Sequence, residues 1–282
     1  MTVACLGDLV EDIVVWLDEP LAVGTDAAGT IHRTRGGSAA NVAAAVAQLG
    51  MVPARYLGCV GEDAAGDALV ADLVRHGVDV RVQRRGVSGA VVILVGTDGE
   101  RTMVPNRGAS GLLEPVAADW LDGLAVLHVP AYAFCAEPVS TSALDALGRA
   151  RGVGAQLSID ASSVGMLGAY GRDRIRDLLA GLAPDHLLAN ADEAAFLGVG
   201  DGWLRETTCV VKQGADPTLV VRGGDRASVP VVPVAEVRDT TGAGDAFAAG
   251  YLSGIAAGDS AEAACAVGNA LAGRSLGRAG AL

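Results

Sequence analysis

At 282 residues the chain is long enough for one large α/β domain or two small ones. It is 51% hydrophobic and only 4% aromatic, with a formal charge of −12. That balance repels phosphate backbones and anionic membranes and leaves few rings for stacking on single-stranded nucleic acid, so neither partner is expected.

Five scattered cysteines without a CxxC pair are expected to be free, buried thiols in a reducing cytoplasm. Four scattered histidines show no sequence-local zinc site. The opening MTVACLGDLVEDIVV lacks a basic n-region and breaks its apolar run at Asp8, so no signal peptide is expected. No uninterrupted apolar stretch reaches the roughly 18 residues of a membrane span.

In chain order, Thr2–Leu6 reads as a buried strand ending at Gly7-Asp8. Residues 13–17 and 30–35 read as short strands around a turn-rich stretch with Pro20, Gly24 and Gly29. Ser38–Leu49 is a small-residue helix closed by Gly50. Arg55–Val60 is the next strand, and Asp67–His76 an amphipathic helix stopped by Gly77. Residues 90–95 and 101–104 flank Asp98-Gly99, a hairpin signal. Val126–Val129 and Gln156–Asp160 are apolar strands, with helices over 138–151 and 171–182. His186–Ala189, Thr208–Lys212 and Thr218–Arg222 continue the strands, and 229–237 reads as an irregular edge. Ala243–Ala257 and Ser260–Ser275 are closing helices. The alternation predicts a mostly parallel sheet covered by helices on both faces. The two early hairpin-like stretches, about 13–35 and 88–105, are too short and polar for that sheet. They predict a small separate β lid on a single domain spanning 1–282.

Chemistry concentrates at Asp239-Thr240-Thr241-Gly242-Ala243-Gly244-Asp245. Gly242 and Gly244 allow a tight turn and close approach of a ligand. The helix that follows presents first-turn N–H groups without internal partners and the positive end of its dipole, a cradle for an anion. Asp245 in that first turn is either an N-terminal capping acid or a base beside the anion. No Gly-x-x-x-x-Gly-Lys-Ser/Thr loop occurs, so no other glycine loop is available for phosphate. Gly7 is followed by Asp8 and Leu9 rather than a Gly-x-Gly-x-x-Gly run, which disfavours a dinucleotide-binding oxidoreductase. Asn190 and Glu193, three apart, also fit a helix N-cap with its capping-box partner.

Asp239–Asp245 resembles the second signature of the ribokinase-like (PfkB) carbohydrate kinases. Gly36-Gly37-Ser38-Ala39-Ala40-Asn41 with Gly50 resembles their first. Gly7 with Asp12, Gly58 to Asp63, His76 to Asp79 and Asn190 to Glu193 follow the same order, so the likeness covers nearly the whole chain. The resemblance implies a ribokinase-like three-layer α/β sandwich with a β lid and an ATP- and Mg²⁺-dependent kinase. Asp245 would be its general base, and Gly242, Ala243 and Gly244 its anion hole. Asp12, Gly36, Gly37 and Asn41 would bind substrate hydroxyls. Asn190, Glu193, Lys212, Gly214 and Asn269 would face the nucleotide, with Glu193 holding Mg²⁺ through water. Asp239 and Thr241 resemble part of a K⁺ site in some relatives. The chain departs from the family after Gly214, where Ala215-Asp216-Pro217 replaces a second glycine. Paired lids in relatives imply a homodimer through the lid.

The expected reaction is phosphorylation of a hydroxymethyl group on a sugar-like small molecule. A nucleoside kinase and a non-catalytic metabolite-binding protein on the same fold are the alternatives. For an acidic sugar, Arg33, Arg35, Arg101 and Arg107 are candidate cations or plain surface charges; for a nucleoside, Trp16, Tyr132 and Phe134 are candidate stacking rings.

Overall fold

The computed structural model describes residues 1–234, 237 and 240–277. β1 (Thr2–Leu6) turns into a first arm, β2 (Val10–Leu17) and β3 (Gly29–Gly36). Next come α1 (Ser38–Leu49), β4 (Ala54–Val60), α2 (Ala64–Arg75) and β5 (Asp79–Arg84). A second arm, β6 (Ser88–Val95) and β7 (Arg101–Gly108), precedes β8 (Leu124–Pro130), α3 (Val139–Gly152) and β9 (Gln156–Asp160). α4 (Val164–Tyr170), α5 (Arg172–Leu182), β10 (His186–Asn190) and α6 (Ala191–Leu197) follow. The last strands are β11 (Thr208–Gln213), β12 (Asp216–Arg222) and β13 (Asp225–Val229), and α7 (Ala243–Ala257) and α8 (Ala261–Ser275) are the closing helices.

Among the described residues nine strands form the main sheet, in the order β13-β12-β11-β10-β9-β8-β1-β4-β5. Neighbours from β5 to β11 are parallel, and β12 and β13 add an antiparallel hairpin at one edge. Side chains alternate across the sheet, as the pleat requires. Ala4 and Leu6 join the core under α3, α4, α5 and α6; Val3 and Cys5 join the core under α1, α2, α7 and α8. The result is a three-layer sandwich, and all parallel strands aim their carboxyl ends at one rim. The two arms form a second sheet, β3-β2-β6-β7, outside the main one. It is longer than the sequence suggests, spanning 10–36 and 88–108.

Several details differ from the sequence reading, and the edge strand β5 (Asp79–Arg84) is one addition. α4 is an added short helix; its Gly165 and Gly168 interrupt the apolar periodicity that would reveal it. The edge strand is Asp225–Val229, because the Gly223-Gly224 turn folds β13 straight back on β12; of the expected edge 229–237, residues 230–234 and 237 are outside any strand, and 235 and 236 lie outside the described residues. Cys135, next to the one-turn helix Ala131–Phe134 at the end of β8, is exposed, whereas the other four cysteines are buried. No helix among the described residues is long and apolar enough to cross a membrane.

The abundance of glycine and alanine has a local cause at α7 and α8. A Cβ on Gly250 would lie 2.8 Å from the Gly268 Cα, and one on Gly268 would lie 2.8 Å from the Phe247 carbonyl oxygen. The two helices thus meet backbone to backbone. Gly250→Ala forces them apart and is expected to cost about 1–3 kcal/mol by overpacking, measured as a lowered denaturation midpoint with an unchanged slope.

Candidate active site

The rim at the carboxyl ends of the parallel strands is where open α/β sheets bind ligands. Here it carries a cavity of about 700 Å³. Asp160 ends β9, Asn190 ends β10 and Lys212 lies near the end of β11, so three polar side chains arrive from neighbouring strands. α7 enters the same cavity with its N-terminus. Its N-cap, Gly242, takes φ 76°, a left-handed conformation that L side chains rarely adopt. Gly244 is different. A Cβ there would meet only the Lys212 Nζ, at 3.6 Å, so the protein's own packing does not demand glycine at 244.

Asp245 lies in the first turn of α7 and lines the cavity. Its carboxylate accepts hydrogen bonds from Ser38 Oγ (2.7 Å) and Asn41 Nδ2 (3.1 Å), both on α1. Burial and the nearby Asp160 push its pKa up to about 6, while the Ser38 and Asn41 bonds pull the other way. Of the three amides expected to form the anion hole, that of Ala243 turns back to the Thr240 carbonyl at 3.3 Å.

Asp12, on β2, also has a pKa raised to about 6, by burial and by Asp245, with Arg35 opposing. The first-signature glycines serve close approach. A Cβ on Gly36 would overlap the Asp12 carboxylate, and one on Gly37 (φ 97°) would overlap the Asp8 carbonyl. Asn41 is 5% exposed and faces inward rather than toward open space. Its Oδ1 accepts from Arg35 Nε at 3.4 Å, and Arg35 in turn pairs with Asp72 at 2.6 Å. A guanidinium only donates, so the Asn41 oxygen turns toward it and the amide nitrogen toward Asp245.

Asn190 and Glu193 form the full capping box of α6. Glu193 N–H donates to Asn190 Oδ1 (2.9 Å), and Asn190 N–H donates to Glu193 Oε2 (2.8 Å). Asn190 Nδ2 also donates to Glu193 Oε1 (2.9 Å), so both carboxylate oxygens already have a partner. Burial raises the Glu193 pKa. Lys212 Nζ pairs with Asp160 Oδ2 at 3.0 Å. Gly214 (φ 65°) makes the β11–β12 turn at the cavity wall. Asn269 accepts from Thr218 Oγ1 (2.8 Å) and donates to the Pro230 carbonyl (3.2 Å), tying α8 to that wall. Thr241 Oγ1 accepts from Arg101 of the β7 arm. Asp239 lies outside the described residues.

Three groups escape the sequence reading. Asp160 and Ser38 line the polar end of the cavity, and Val231, Val232 and Val234 form an apolar wall where an edge strand is expected. The first was legible as a polar residue ending an apolar strand, like Asn190; the wall carries no sequence signal separable from a strand. Three of the four arginines read as candidate cations or surface charges are paired: Arg33 with Glu11 (2.9 Å), Arg35 with Asp72 and Arg107 with Asp8 (both 2.6 Å). Among the described residues no cluster of three or more His, Cys, Asp or Glu could hold a metal. Asp160, Asn190 and Glu193 put oxygen donors on the cavity wall, the donor chemistry that a divalent ion keeping its waters would accept.

A family model described as pfkB family carbohydrate kinase matches residues 2–282. The chain is 31% identical over 275 residues to a fructokinase of Klebsiella pneumoniae, covering 89% of this chain and 83% of that one. It is 32% identical over 281 residues to an ATP-dependent ribose-1-phosphate kinase of Halopiger xanaduensis, covering 96% and 90%. The crystal structure of adenosine kinase from Sinorhizobium meliloti matches with a TM-score of 0.86 at 26% identity, over 99% of this chain and 94% of that one. With residues 2–282 matched by the family model, the chain belongs to the pfkB family of carbohydrate kinases.

Proposed function

We propose that the protein transfers the terminal phosphoryl group of ATP to a hydroxymethyl group of a neutral, sugar-like molecule, with Asp245 as general base. One observation carries this: a carboxylate held by Ser38 and Asn41 lines the cavity at the glycine-turned N-terminus of α7. Phosphoryl transfer needs mainly positioning and charge stabilisation, and this arrangement offers both.

The acceptor hydroxyl gives its proton to Asp245 as it attacks. The N–H groups around Gly242–Gly244 stabilise the migrating phosphoryl group. Asp12 and the Gly36-Gly37 turn border the acceptor side. The apolar wall of Val231, Val232 and Val234, with Gly214 and Asn269, borders the adenine side. Asn190 and Glu193 would hold a Mg²⁺ ion through water, and that ion would supply charge neutralisation to the triphosphate. The pairing of Arg33, Arg35 and Arg107 with carboxylates favours an uncharged acceptor over a sugar acid. The β3-β2-β6-β7 sheet acts as a lid that excludes water, and the reach of Arg101 to Thr241 supports this. Exposed Trp16, Ile31, Met103 and Val104 on the lid support its pairing in a homodimer. Asp239 and Thr241 would supply a K⁺ site, read out by K⁺-dependent turnover. Its use of ATP suits the cytoplasm.

An ATP-consumption screen with Mg²⁺ across neutral sugars, sugar acids and nucleosides is expected to score on neutral sugars; turnover confined to acids or nucleosides contradicts the acceptor assignment. Asp245→Asn is expected to lower turnover about 10²–10⁴-fold while ATP still binds; unchanged turnover removes Asp245 from the chemistry. Gly244→Ala is expected to leave thermal stability unchanged or raised by up to about 1 kcal/mol. Its turnover should nonetheless fall at least about tenfold, because the added methyl points where the phosphoryl group must come. Full activity in that variant would remove the turn from the phosphate site.

A further inference from the structure

Of the 21 Lys and Arg residues in the chain, only Lys212 is a lysine. It sits on the cavity with its side chain only 17% exposed. Its Nζ pairs with Asp160 Oδ2 at 3.0 Å. Asp160 is itself fixed: its Oδ1 accepts the Ser162 N–H at 2.8 Å, in a loop where Ser162 takes φ 70°. That left-handed conformation is uncommon for a residue other than glycine, and such outliers persist where the surroundings demand them. On the other side, the Lys212 Nζ lies 3.6 Å from where a Cβ on Gly244 would be. The ammonium therefore stands between the Asp160 carboxylate and the turn at the N-terminus of α7. Burial disfavours its charge, but Asp160, Glu193 and Asp245 outweigh burial and hold it protonated.

We infer that Lys212 is a catalytic residue whose ammonium meets the transferred phosphoryl group, and that Asp160 is the positioning residue that aims it. This rests on the kinase reading above and assigns the lysine to the reacting phosphorus rather than to the rest of the nucleotide. In the step, the acceptor oxygen forms a bond to the terminal phosphorus and its proton passes to Asp245. The bond from that phosphorus to the bridging oxygen breaks, and the electron pair leaves with ADP. Lys212 keeps its proton throughout and donates a hydrogen bond to a non-bridging oxygen. Three carboxylates surround the path of a group that is itself anionic, so a fixed cation there lowers a repulsion that would otherwise oppose transfer. A compact ammonium suits the site better than a guanidinium fork, given the close approach to Gly244.

The alternative is that Lys212 only balances the buried carboxylates. Calorimetric binding of ADP and of the non-hydrolysable triphosphate AMP-PNP, both with Mg²⁺, separates the two. The proteins compared are the wild type, Lys212→Gln and the double variant Asp160→Asn/Lys212→Gln. The double variant removes both charges of the pair and keeps the fold testable should the single variant fail to fold. Expected is a loss of at least about tenfold in AMP-PNP affinity but under about threefold for ADP, with kcat down by about 10²-fold and the acceptor KM little changed. Equal loss for both nucleotides, or no loss for either, overturns the assignment. A wild-type protein that binds neither nucleotide overturns the kinase reading itself, and this inference with it.

Discussion

The arrangement depends on two hydrogen bonds that cross the fold, from Ser38 and Asn41 to the Asp245 carboxylate, between residues 207 and 204 positions apart. They form only if α1 and α7 lie side by side on the same face of the sheet. Small residues ease that approach: Ala39, Ala40, Ala43 and Ala44 on α1 and Ala248 and Ala249 on α7 lie in the core the two helices share. These small residues thus help bring a carboxylate to the mouth of a glycine turn.

The second constraint is charge. Asp12, Asp160, Glu193 and Asp245 crowd one rim of an acidic chain, and a phosphate ligand must enter among them. Burial raises the pKa of Asp12, Glu193 and Asp245. The opposing groups are few and fixed: the dipole of α7, the buried Arg35 behind Asn41, and Lys212 held by Asp160. An acidic protein can accommodate an anionic substrate when a few local donors face it, whatever the net charge of the surface.

Much of the fold was legible in the sequence because local rules and tertiary packing agree. Ser38–Leu49 ends at a left-handed Gly50, Gln156–Asp160 is an apolar run with a polar end, and Ala243–Ala257 follows a glycine turn. α4 and the true edge strand escaped notice because their glycines and short exposed runs carry no clear period. The site was legible only where residues cluster in sequence. The Asp160–Lys212 pair joins strands 52 positions apart, and an aspartate ending a strand resembles any turn aspartate. The bonds of Asn41 to Arg35 and Asp245 depend on where the stem of the first arm lies, which local sequence does not encode.

The pH dependence of kcat/KM, compared between the wild type and Ser38→Ala, tests the central claim most directly. Asp245 accepts a proton only when ionised, so the wild-type rate should fall as pH drops through its pKa of about 6. The Ser38 bond favours the ionised form, so its loss should move that acidic limb upward. A profile flat to well below pH 5, or a limb that stays put in Ser38→Ala, would contradict the account.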